Sequence, residues 1–430
     1  MTKVKTLLAS SLLVFACGKL NKPTSEFKFD SAHSIALDGT ISSGNIISTN
    51  TDHDVIKEEI IAQLYYSIGY LNGYNAGPDM NRVQVSINDV QPREDGLYDV
   101  TYAAKMFIAW PRLTYIPNFI YMTVPERGDQ DGLSQFFEAY GQDAWGVCMS
   151  AGAHDVSLGN FWYFYRPLNF TCPLVGLTSE YATRFNIDLS ISDENTEDKY
   201  PEYSKVWEDG ALVVTAIFGK NEFGSTNNSD AGINAFRETY FELISKYGTP
   251  VESNLAANQT PSATNDSVKL KFDTANGTLD VHLYVVDEIK SVSNEFIANY
   301  NERTKNSDFV SYSGHSGLGA NIRALARMGS FVKGQYQIFL VNGCDTFAYV
   351  DNALRDAHQA ANADAGPDKY FDIMTNAMPS YFHMNPRSNL VMIDGLMQQE
   401  GTYRDIMYDF DRSQRVNVTG EQDNKWPQAF

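Results

Sequence analysis

From about residue 208 the chain repeats one rhythm: a short unbroken apolar run, a stretch of helical periodicity, then another apolar run. A strand without a polar side must be covered on both faces. Strands of that kind, joined through helices, form parallel sheets. The apolar runs fall at 211–218, 268–272, 279–286, 309–313, 336–341 and 371–375. Helical patterns fall at 231–247, 292–300, 318–328 and 349–361. Gly248 and Pro250 stop the first helix, and Asn276-Gly277 marks a hairpin. The pattern predicts an α/β domain over 206–430.

The preceding region reads differently. Val55, Ile56, Ile60, Ile61, Leu64, Ile68 and Leu71 recur at helical spacing. Residues 83–87 alternate as a strand, 98–110 form a second, and 92–96 supply turn chemistry between them. Residues 133–140 look helical, and the aromatic run 160–166 looks strand-like. The order α-β-β-α-β predicts a small α+β domain of the ferredoxin-like kind over 51–174. Residues 175–205 lack periodicity and are expected to be a linker. Residues 17–50, rich in Ser, Thr, Asn, Gly and Lys, are expected to be a flexible tether.

The tether follows an export signal. Lys3 and Lys5 precede an apolar stretch, Leu7 to Ala16, that is too short to span a bilayer. Val14-Phe15-Ala16-Cys17 has the pattern of a bacterial lipobox, which predicts cleavage of 1–16 and diacylation (palmitate) of Cys17. Gly18 follows, with no retention Asp, so the expected location is the cell envelope, lipid-anchored at the outer membrane. An exported chain favours disulfides, and Cys148 and Cys172 are the expected pair. That leaves Cys344 unpaired, and an unpaired thiol outside the cytosol calls for a reason. The formal net charge of −20 disfavours nucleic acid and anionic headgroups, so the lipid is the only expected membrane contact.

Two apolar runs end in chemistry-bearing turns. The run 309–313 ends in Gly314-His315, and 336–341 leads into Gly343-Cys344. A thiol and an imidazole at the ends of neighbouring parallel strands can converge on one substrate bond, as nucleophilic thiol catalysis requires. The other histidines show no metal-ligand spacing, and His282, between Val281 and Leu283, is expected to face outward. No dinucleotide fingerprint or phosphate loop is present, and no cofactor is expected.

The motifs Tyr312-Ser313-Gly314-His315-Ser316-Gly317 and Val341-Asn342-Gly343-Cys344-Asp345-Thr346 resemble those of caspase-like cysteine peptidases of the gingipain, clostripain, legumain and caspase type. The resemblance covers roughly 208–380 and is closest to the gingipain branch. It implies a caspase/gingipain-like, mostly parallel sheet with helices on both faces. It implies Cys344 as nucleophile and His315 as the acid/base that activates it and protonates the leaving amine. The backbone N–H groups of Cys344 and Ser316 would form the oxyanion site. Ser316 stands where the family usually has Gly; a positive φ there would strain it, and Gly317 could serve the turn instead. A pocket acid would select Arg or Lys, with Asp266, Asp273 and Asp287 as candidates. Asp345 is expected to cap the next helix. The implied function is a cell-envelope cysteine endopeptidase acting on a peptide or protein substrate. The alternative is an inactive caspase-like lipoprotein serving as a binding or structural scaffold.

Overall fold

The computed structural model describes residues 28–141, 148–150, 156–174, 180–256, 258–366, 368–420 and 426. The signal segment and Cys17 lie outside these residues. No described helix is long and apolar enough to cross a membrane.

The first unit comprises β1 (Ser34–Ser48), α1 (His53–Asn72), β2 (Gly77–Pro92), β3 (Tyr98–Pro111), β4 (Phe119–Pro125), α2 (Gln130–Tyr140), α3 (Phe161–Phe164) and β5 (Ala182–Ile191). Its strands form one sheet in the order β2-β3-β1-β5-β4, and every pair in it is antiparallel. α1 starts where the Asp52 carboxylate accepts the Asp54 N–H. It lays Ile56, Ile60, Leu64 and Ile68 on Leu37, Ile46, Val100 and Ile108 of the sheet.

Three expectations for this unit are corrected. Residues 34–48 are not tether but the central strand β1. Its alternation is broken by a register shift between Ile41 and Gly44, where the chain passes close against the Tyr102 ring. Residues 182–191 are not linker but β5, with Phe185 and Ile187 in the core. The aromatic run 160–166 is not a strand: it contains the one-turn helix α3, which begins at the buried Phe161 and is followed by the buried Tyr165.

The second unit continues through α4 (Tyr203–Val206), β6 (Ala211–Gly219), α5 (Ala231–Tyr247), β7 (Glu252–Ser253), β8 (Ser267–Thr274), β9 (Gly277–Val286), α6 (Asn294–Thr304), β10 (Phe309–Ser313) and α7 (Ala320–Leu325). It ends with β11 (Gln337–Asn342), α8 (Thr346–Tyr349), α9 (Ala353–Ala361), β12 (Phe371–Asn376), α10 (Asn385–Gln398), α11 (Tyr403–Tyr408) and β13 (Val416–Gly420). The sheet order is β13-β12-β11-β10-β6-β9-β8-β7. The five inner strands β12, β11, β10, β6 and β9 are mutually parallel, with antiparallel strands at both edges.

The continuous apolar strands split their side chains between two layers. Val214, Phe218, Ile338, Leu340 and Met374 join α5, α10 and α11 on one face. Ile217, Val310, Tyr312, Phe339, Val341 and Ile373 join α6, α7 and α9 on the other. His282 does not face outward. It is 4% exposed, its ring tilted against that of Tyr284 and hydrogen-bonded through Nε2 to the Ser267 hydroxyl.

The two units are packed together. Ala348 and Tyr349 of α8 belong to the first unit's core, and Phe347 packs with Phe29, Ala36, Phe107 and Ala109 on the other side of that sheet. Cys148 and Cys172 form the expected disulfide, with Cα atoms 4.8 Å apart.

Candidate functional site

β6 is flanked in the sheet by β9 on one side and β10 on the other; the chain runs from β6 out to one edge and back through β9, then crosses to β10 on the other side, so it changes direction across the sheet between β6 and β10. The carboxyl ends of parallel strands at such a point frame a crevice. β10 and β11 pair in parallel with Ser313 opposite Asn342. His315 and Cys344 therefore each stand two residues beyond the same rung of the ladder. The two turns touch. The Gly314 N–H donates to the Asn342 carbonyl, and a side chain at Gly343 would lie 2.9 Å from the Gly314 carbonyl oxygen and 3.3 Å from the Ser316 nitrogen. Only glycine lets the cysteine turn approach the histidine turn this closely.

His315 is exposed. Its Nε2 is 3.1 Å from the Asn221 carbonyl oxygen, and its ring meets the edge of Phe382. Donation from Nε2 leaves Nδ1 as the basic nitrogen. Asn221 is held in turn by Asp230, the N-cap of α5. The Asp230 carboxylate accepts the N–H groups of Asn221, Glu222, Gly232 and Ile233. Burial would raise Asp230, but these four donors hold it below the ordinary carboxylate range.

Ser316 is buried and does not take the left-handed conformation. Positive φ falls on Gly317 (58°), Leu318 (52°) and Gly319 (89°), so the serine carries no strain of that kind. Among the described residues no protein acceptor takes the backbone N–H of Ser316 or of Cys344.

Cys344 is the free cysteine of the described residues and is half-buried. Its Sγ donates to the Ser380 carbonyl at 3.2 Å. Burial pushes the thiol up, the neighbouring Asp345 pushes it further, and the Tyr163 hydroxyl opposes both. Beneath it lies a lattice of amides that sequence reasoning missed. Asn342 Oδ1 accepts from Asn376 at 2.7 Å, from Ser380 Oγ at 2.9 Å and from Gln414 at 2.9 Å. Asn376 also donates to the Gly343 carbonyl at 3.2 Å. The signal in the sequence is a polar amide ending two apolar strands, Asn342 and Asn376, where a core residue would otherwise stand.

Asp345 occupies the N-cap position of α8 but makes no side-chain cap hydrogen bond, contrary to expectation. It adopts the left-handed region (φ 51°, ψ 33°), which turns its carboxyl toward the first unit, where Asn72 Nδ2 donates to it at 2.9 Å. Arg166 Nη2 donates to Asn72 Oδ1 at 3.1 Å. Burial pushes the Asp345 carboxyl up to about 7 against the pull of Asn72, Arg166 and Tyr163.

The three pocket candidates separate by position. Asp273 pairs with Thr278 at the amino end of β9, the wrong edge of the sheet. Asp287 lies at the correct edge but is bound to Lys220 at 2.9 Å. Asp266 lies at the same edge, where burial raises its carboxyl and Lys220 opposes that. Among the described residues no cluster of His, Cys, Asp and Glu could hold a metal ion. No protein-family model matches the chain, and no curated protein is significantly similar to it, so any reading of the site rests on its own residues.

Proposed function

We propose that the protein is a cell-envelope cysteine endopeptidase of the caspase-like type, anchored by lipid on Cys17 and preceded by a ferredoxin-like unit. The observation that carries this reading is the shared rung Ser313–Asn342, which brings His315 and Cys344 to matching places at one strand edge. In the reaction, His315 takes the proton of Cys344 and the sulfur adds to the scissile carbonyl carbon. The oxyanion sits on the N–H groups of Ser316 and Cys344. The carbon–nitrogen bond breaks as His315 gives its proton to the leaving amine. Water then attacks the thioester with His315 as base, releasing the acid and restoring the thiol. Asp266 is the strongest candidate for selecting a basic side chain.

The thiol held by Ser380 and raised by burial supports the second reading, an inactive scaffold. A panel of fluorogenic peptides separates the two. We expect hydrolysis that is lost in Cys344→Ala and in His315→Ala, with far-UV circular dichroism unchanged because both side chains lie outside the core. Full turnover in both variants would end the peptidase reading. No turnover in any form, with thiol labelling indifferent to His315, would favour the scaffold.

A further inference from the structure

The first unit carries a second concave site at the edge of its sheet. A cavity of about 190 Å³ opens between the last turn of α1 and the edge strand β4, with Tyr70, Tyr74, Tyr121, Leu168 and Arg184 in its wall. A cavity of roughly 150 Å³ takes one benzene ring, so this one has room for a single six-membered ring with a substituent. Its walls are held from behind. Tyr74 packs against Tyr70 and Trp110, with ring centroids 6.0 Å and 5.5 Å away. Leu168 lies over the turn after α1, where a side chain at Gly73 would come within 3.2 Å of it. Tyr121 is 45% exposed and meets the equally exposed Phe119 edge-on.

Arg184 is the cation of this wall. It stands opposite Thr123 in the β4–β5 ladder, and its guanidinium lies on the Tyr121 ring, 4.0 Å from the centroid. Among the described residues no acid pairs with it, and its Nε is buried without a hydrogen-bond partner. The chain has 53 acidic residues against 33 basic ones, so a half-buried guanidinium without an acid is out of pattern. The next acid along its face of β5 is Asp188, four residues on and about 13 Å away by strand rise. The nearby backbone acceptors are already engaged. The Tyr121 carbonyl accepts the Tyr70 hydroxyl, the Thr123 carbonyl the Tyr165 hydroxyl at 2.9 Å, and the Tyr70 carbonyl the Gly73 N–H at 3.1 Å. The cavity therefore offers a ligand a cation and aromatic faces, and few acceptors to repel an anion.

One guanidinium balances one negative charge, and its planar fork fits a carboxylate through two hydrogen bonds. A phosphate, at about −2, calls for more than one cation. Tyrosine rings present apolar faces with polar tips, which suit a ring that is apolar on its faces and hydroxylated at its rim. We propose that this cavity binds a uronic acid residue of an acidic saccharide, with the carboxylate on Arg184 and the sugar ring against Tyr121 and Tyr74. The exposed Phe119 continues the platform toward the neighbouring sugar. The net charge of −20 opposes such a ligand only at long range, where salt screens it beyond about 8 Å. The site is independent of Cys344 and of the peptidase reading.

The test is saturation-transfer NMR on the full chain at neutral pH and about 0.15 M salt, with D-glucuronate, D-glucose and benzoate as probes. We expect glucuronate to bind with a Kd on the order of millimolar, as its size allows. Glucose should bind at least about tenfold more weakly, and Arg184→Gln should weaken glucuronate by a similar factor. The variant should keep its far-UV circular dichroism, because the arginine leaves no hydrogen-bond partner behind. No saturable glucuronate binding overturns the proposal, and so does binding unchanged in Arg184→Gln. Glucose binding as tightly as glucuronate would deny the cation its role and overturn it as well. Benzoate binding more tightly than glucuronate would make this a site for aromatic acids, and the saccharide assignment would fall. Should Arg184→Gln fail to fold, Leu168→Trp decides in its place, since it fills the cavity from a part-exposed position: lost binding supports the site, and retained binding overturns it.

Discussion

At Asp345 the local rule and the tertiary fold compete, and the fold wins. An Asp one residue before a helix ordinarily caps it. Here a left-handed backbone turns the carboxyl away, and Asn72, 273 residues distant in sequence, donates to it. No sequence pattern announces a partner that far off. The neighbouring positions were legible, because His315 and Cys344 end apolar strands and strand ends are set by local pattern. The consequence is testable through charge. Asp345→Asn keeps an oxygen for Asn72 and tolerates the left-handed region, but removes the negative charge that raises the thiol. Because the Asp345 carboxyl titrates at about 7, both proteins are neutral there in acid and should react alike. Above pH 7 only the wild type carries the charge, and Asp345→Asn should be alkylated at Cys344 several-fold faster. Slower reaction of the variant at pH 8 to 9 would contradict the electrostatic account.

Among the elements, legibility followed regularity. The second unit's strands were visible because burial on both faces makes each a continuous apolar run. β1 was not, because Asp38, Ser42, Ser43 and Asn45 face solvent and the shift at Ile41 and Gly44 breaks the period of two. The aromatic run 160–166 misled in the opposite sense: its β-propensity reflected large side chains packing in a core. The loop after β6 shows how one cap supports the site, since Asp230 fixes both the start of α5 and the segment whose Asn221 carbonyl orients His315. Asp230→Ala should destabilise the fold by about 1–2 kcal/mol in urea unfolding at neutral pH. Its carboxyl is held below the usual range, so its contribution is present above the unfolded-state value near 4 and fades as pH falls below it. The gap between wild type and variant should therefore narrow in acid. A gap that stayed constant down to pH 2 would show that the carboxylate's charge is not what matters.

Over the whole molecule, the site lies at a seam between the two units. Phe347 meets Phe29 edge-on with ring centroids 6.0 Å apart, and Arg404 grips the fully buried Asp30 at 2.7 Å. Asp30 also bridges to Val418, so the chain entering the first sheet closes the edge of the second. Neither unit presents a finished surface without the other, which predicts one cooperative unfolding transition reported alike by both. The buried titratable groups fix how that transition responds to pH. Burial lowers His282 to about 3 and His358 to about 4, so they favour the fold increasingly as pH rises toward 6.5. Burial raises Asp79 to about 7 and Asp308 to about 8, so the folded state holds those protons more tightly and loses stability as pH rises from about 4 through those values. The two trends oppose each other up to about 6.5, and above it only the acids act. Stability should therefore decline between about pH 6.5 and 8. Asp308 accepts the Val213 N–H at 2.8 Å, an interaction an Asn oxygen can keep. Melting temperatures of Asp308→Asn and wild type, taken from pH 5 to 9, should differ most at the alkaline end, where the variant falls less steeply. Parallel curves would mean that the ionisation of Asp308 does not drive the decline.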